Sequence, residues 1–130
     1  MPTLSVVLAI VASMIVGSVW YSPLAFGNRW MELAGITEER MKKNGPKAMV
    51  VMVFCVIVTV LTMQYLFSVA GVSSVAEGMM LAVAAWLGFV GCTQLMHGMF
   101  EGKRLELILI SALYQLANFL VIGAILSAGR

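Results

Sequence analysis

Four stretches of this 130-residue chain, 1–28, 48–76, 78–100 and 107–129, contain no Asp, Glu, Lys or Arg. Each is long enough to cross the hydrocarbon core of a bilayer, which takes about 20 apolar residues in a helix. A backbone in lipid must satisfy its N–H and C=O groups internally, and these runs are too long and too uniformly apolar for barrel strands. The expected fold is therefore all-α, a polytopic bundle of four transmembrane helices at about 3–24, 47–67, 75–98 and 105–126. Composition closes the other routes. With 62% hydrophobic and 11% charged residues, against about 25% charged in soluble domains, the chain cannot cover a soluble surface. Residues 1–130 make a single domain, and any activity sits among its membrane helices.

Charge sets the expected orientation. Arg29, Arg40, Lys42, Lys43 and Lys47 follow the first span and Lys103 and Arg104 the third, seven of the eight basic residues. By the positive-inside rule these two loops are cytoplasmic and both termini lie outside. Trp20, Tyr21 and Trp30 then fall at the cytoplasmic interface, where amphipathic rings are favoured. Pro23 pushes Ser22 away from the α region, so the first helix is expected to kink or end there. The first span lacks a charged leader region and a small-residue cleavage site, so it reads as a span, not a signal peptide. In the long basic loop, Thr37 is positioned to cap a short interfacial helix that ends before Asn44, Gly45 and Pro46. Trp30, Met31, Leu33, Ala34, Ile36 and Met41 of the loop are candidates for a face lying on the membrane.

Residues 20–30, WYSPLAFGNRW, suit an interface anchor and helix stop, but anchoring does not require their particular order. Trp20, Tyr21, Ser22, Pro23, Leu24, Phe26, Gly27 and Trp30 fit a W-Y-S-P-L-x-F-G-x-x-W pattern, and Phe100, Glu101, Gly102 and Lys103 form an F-E-G-basic turn before the last span. In both features the chain resembles domain of unknown function 1761, a family of small bacterial membrane proteins. The resemblance implies four membrane helices in a bacterial inner membrane and no established activity.

Small residues point to helix packing. Ser5, Ala9, Ser13 and Gly17 recur at every fourth position of the first span, and Ala84, Gly88 and Cys92 do so on the third. Such seams let membrane helices approach closely, and they lead to the expectation of a homo-oligomer, a dimer favoured, packed through the first or third helix. Sliding the chain by 74 positions sets Gly17, Phe26, Arg29 and Glu32 against Gly91, Phe100, Lys103 and Glu106, which leaves open a bundle of two related helical hairpins.

Polar residues inside a membrane are costly and so are the functional leads. Thr93, Gln94, His97 and Glu101 share one face of the third helix at spacings of three and four. Ser111, Tyr114, Gln115 and Asn118 form a stripe on the fourth, with Glu106 at its mouth. With Tyr21 and Ser22 they outline a ligand-binding pocket in the cytoplasmic half for a small or amphiphilic molecule. The competing reading makes the same residues interhelical hydrogen-bond glue, worth about 0.6 kcal/mol each, in a structural or assembly protein. Enzyme templates fail: the chain has no Asp, no C-x-x-C, no G-x-S-x-G and no H-E-x-x-H. His97 is the sole histidine, a poor start for a metal site. No enzyme activity, cofactor or metal is expected, nor any nucleic-acid partner.

Overall fold

A computed structural model describes residues 2–22 and 25–129. The elements in order are α1 (Pro2–Trp20), α2 (Gly27–Ala34), α3 (Glu38–Ala70), α4 (Val75–Ala85), a π-helical turn (Trp86–Gly91), α5 (Cys92–Phe100) and α6 (Leu105–Ala128). Four helical rods, Thr3–Trp20, Glu39–Ala70, Val75–Phe100 and Leu105–Ala128, are long and apolar enough to cross a membrane. The protein is an all-α, multi-pass membrane bundle. The helix stop at Pro23 and the Leu24 limit of the first span lie outside the described residues.

The connection between the first two spans departs from expectation. Its short helix is α2, which begins earlier, at Gly27. Gly35, at φ 69°, adopts the left-handed geometry that ends α2, and the Ile36 amide bonds the Met31 carbonyl at 3.0 Å. The Thr37 hydroxyl does cap a helix, accepting from the Arg40 amide at 3.2 Å, but that helix is α3 itself. It runs through Asn44, Gly45 and Pro46 without a break. Proline removes the amide that the Lys42 carbonyl would receive, but Lys42 is exposed, at a place where water can supply the missing donor. The 33 residues of α3 span about 50 Å, well beyond a hydrocarbon core of about 30 Å. Its first turns therefore project past the membrane at the end of the bundle that carries the basic loops.

Packing is uneven along the bundle axis. The buried cluster of Ala9, Val56, Val60, Met63, Phe67, Val72, Ala82, Ile122 and Leu126 sits in the half that carries the chain termini. There α6 is the central element, packed between α1 and α4. Small residues allow it: a Cβ added at Gly123 would lie 3.0 Å from the Ala82 methyl, and one at Gly78 would collide with the Ser127 side chain. In the opposite, basic half, Met49, Val50, Val51 and Phe54 of α3 are exposed. The bundle is closed at the terminal end and open at the basic end.

Candidate functional site

Two clefts occupy the open half. The first, about 660 Å³, lies between α2, α5 and the start of α6, and its lining includes Thr93, Gln94, His97, Glu101, Lys103, Arg104 and Ser111 over a floor of Leu33, Ala34, Ile36, Leu107 and Ile108. The second, about 730 Å³, lies between α1 and the first half of α3. Both volumes fall in the range of small-molecule sites, about 300–1,000 Å³. Trp30 and Ile36 line both clefts and so form the partition between them.

Local structure explains how these side chains are brought together. The π-helical turn takes an extra residue per turn, which rotates α5 relative to α4. The Trp86 ring lies across Gly91, where a Cβ would come within 3.2 Å of it, and the Trp86 indole donates to the Ala112 carbonyl at 2.8 Å. From the other side, Trp20 donates to the Ile110 carbonyl at 3.1 Å. The two indoles thus fix α6 just past the cleft. At Gly98 a Cβ would meet the Ile108 side chain at 2.5 Å, so α5 and α6 come close enough to share a wall.

Polar groups in the first cleft are unequally satisfied. Among the described residues, the Gln94 Oε1 atom is buried and meets no hydrogen-bond donor. Such an atom forgoes its hydration without compensation. At the rim, Lys103 pairs with Glu101 at 3.2 Å, whereas Arg104 forms no ion pair among the described residues. Gln64 carries a similar unmet acceptor on α3, but it lines neither cleft.

Of the candidates read from sequence, Gln94, His97, Glu101 and Ser111 come together in the first cleft. The others do not join them. Asn118 is buried, and its carboxamide oxygen accepts from the Ser13 hydroxyl. Tyr114 packs edge-on against Tyr21 at 5.1 Å and tilts toward Trp20 at 6.4 Å. Tyr21 lines the second cleft and stacks edge-on with Trp30 at 5.0 Å. Burial pushes its phenol above the ordinary value, a hydrogen bond with Ser111 pulls the other way, and Tyr114 adds to the rise. The Ser22 hydroxyl donates to the Val19 carbonyl at 2.7 Å, while Gln115 is half-buried and lines neither cleft. Glu106 receives Arg29 in a two-pronged bond, both prongs 2.7 Å, which ties α2 to α6. That carboxylate raises the Arg29 guanidinium further above its ordinary value.

The seams separate in the same way. Ala9, Ser13 and Gly17 are buried within the chain, and a Cβ on Gly17 would lie 3.0 Å from the Tyr114 hydroxyl. Ala84, Gly88 and Cys92 are exposed, with open space where a Gly88 Cβ would be. The third span instead buries Gly78 and Ala82. That pair and its counterpart on α6, Gly123 and Ser127, have the same four-residue spacing and were available to a sequence reading. Trp30, Lys103 and Arg104 also line the first cleft, although in sequence they carry the signals of an interfacial anchor and of orientation.

Residues 4–127 match the family model described as Protein of unknown function (DUF1761). No curated protein and no solved structure matches the chain.

Proposed function

Since the chain belongs to the DUF1761 family, whose description assigns no activity, we propose its function from its own geometry: the first cleft binds a small amphiphilic anion that also carries a hydroxyl or amine. The observation that carries this reading is the buried, unmet Gln94 Oε1. Gln94 lines the cleft, and its carboxamide, turned about its last torsion toward the opening, meets a ligand hydroxyl or amine. Lys103 and Arg104 at the rim favour a carboxylate or phosphate, and the Leu33, Ile36 and Leu107 floor takes an apolar moiety. By the positive-inside rule the open end faces the cytoplasm and the termini face outward in a bacterial inner membrane. The ligand enters from the cytoplasmic side.

N-dansylserine is a suitable probe, since it combines a carboxylate, a hydroxyl and an apolar fluorophore. Tryptophan-to-dansyl energy transfer in nanodiscs should saturate with the wild-type chain. Gln94→Leu and Arg104→Gln should each weaken binding about tenfold, the loss of one good polar contact. Affinity unchanged in both variants would remove the cleft from consideration.

A second reading rests on a separate observation. The outward-facing Ala84, Gly88 and Cys92 seam has room for a close neighbour at Gly88, which supports a homodimer through the third span.

A further inference from the structure

The second cleft is built differently from the first and goes beyond the function proposed above. Along α3 its lining runs from Arg40, Met41 and Asn44 to Met49 and Met52. That is a strip of about 18 Å at 1.5 Å per residue. Polarity changes along it in one direction. The charge-free run of the second span begins at residue 48, so Met49 and Met52 lie at hydrocarbon depth. At about 1.5 Å per residue, Asn44 lies roughly 6 Å beyond residue 48, within the headgroup layer of some 5–7 Å on each side of the core. Arg40 lies roughly 12 Å beyond it, on the water side of that layer, with a long side chain to span the difference. The gradient matches that of a membrane lipid aligned with the helix.

The charge at the mouth selects among lipids. No acidic residue lines this cleft, and the Arg40 guanidinium makes no ion pair among the described residues. A guanidinium presents a planar fork that suits phosphate oxygens. Below it, the Gly45 position opens onto empty space, and the unbranched methionines adapt to a flexible chain. We propose that this groove is a lipid site: it seats one acyl chain of an anionic phospholipid from the surrounding bilayer, with the headgroup phosphate held by Arg40 and Asn44.

Trp30, on the wall of the groove, provides the readout. The full chain is placed in phosphatidylcholine nanodiscs that contain a minor fraction of phosphatidylglycerol, with brominated acyl chains on one lipid or the other. Contact with bromine quenches tryptophan, and Trp30→Phe identifies the Trp30 component. Brominated phosphatidylglycerol should quench that component with about fivefold preference over brominated phosphatidylcholine at equal mole fraction. Arg40→Gln should abolish the preference and Lys43→Gln, outside the groove, should keep it. Gly45→Leu, which fills the open space, should lower quenching by both lipids. Equal quenching by the two lipids would mean ordinary boundary lipid and overturn the proposal, as would a preference that survives Arg40→Gln. Quenching by neither lipid would indicate another occupant, such as a second copy of the chain. Displacement of phosphatidylglycerol by stoichiometric brominated fatty acid would assign the groove to free acids instead.

Discussion

Ser13 on α1 donates its hydroxyl to the carboxamide oxygen of Asn118 on α6, inside the bundle. This bond takes Asn118 out of the set of groups that could reach a ligand and makes it a tie between two spans. Ser13→Ala should therefore lower stability by about 0.6 kcal/mol, up to about 1.7, as read by denaturation in mixed micelles. It should leave N-dansylserine binding unchanged. A loss of binding without a loss of stability would return Asn118 to the site.

Gly17 and Gly88 should respond oppositely to a bulky side chain. Gly17 faces Tyr114 within the chain, so Gly17→Leu should force α1 from α6 and destabilise the bundle at any protein concentration. Gly88→Leu has open space and should leave the fold intact. If the second reading holds, it should also reduce oxidative cross-linking of Cys92 between copies in native membranes.

Tyr21, just past α1, meets α6 through its ring, edge-on to Tyr114. Tyr21→Phe keeps the contacts with Trp30 and Tyr114 and removes only the hydroxyl, which lies near Ser111, so it should cost no more than one interhelical hydrogen bond, about 0.6 kcal/mol. Tyr21→Ala also removes two ring pairs, each worth about 0.5–1.5 kcal/mol, and should cost distinctly more. Denaturation of the two variants side by side separates the ring from the hydroxyl. Equal losses would mean that the hydroxyl carries the whole effect.

The Arg29 and Glu106 pair should act on α2 more than on global stability. Both groups are solvent-exposed, and exposed pairs contribute little to folding. Arg29→Gln or Glu106→Gln should instead speed amide exchange across Gly27–Ala34, and the exchanged pair Arg29→Glu with Glu106→Arg should restore protection. Unchanged exchange in the single variants would mean that ring packing alone holds α2.

The four spans were readable because charge-free runs of membrane length have few alternatives. The course of the second span past Pro46 was not. A proline before the membrane reads as a stop, and only the exposure of Lys42 shows why it is tolerated. Helical spacing placed Gln94, His97 and Glu101 on one face correctly. It could not show which partner that face meets, because neighbour choice depends on the rotation made by the π-helical turn and on the close approach at Gly98. Asn118 and Tyr114 share a stripe with Ser111 in sequence, yet their depth along α6 puts them against α1. A linear pattern carries the face of a residue but not the tilt of the helix opposite.

The proposed function requires the first cleft to be open and ligand-accessible, not filled by packing. Ser111→Cys, in a chain with Cys55→Ala and Cys92→Ala, tests it directly when treated with a charged, membrane-impermeant methanethiosulfonate from the side of the basic loops. The cleft predicts rapid labelling at position 111, slowed by saturating N-dansylserine, and no labelling of the equivalent Asn118→Cys chain. Failure to label position 111 in a folded protein, or labelling that the probe does not slow, would contradict it.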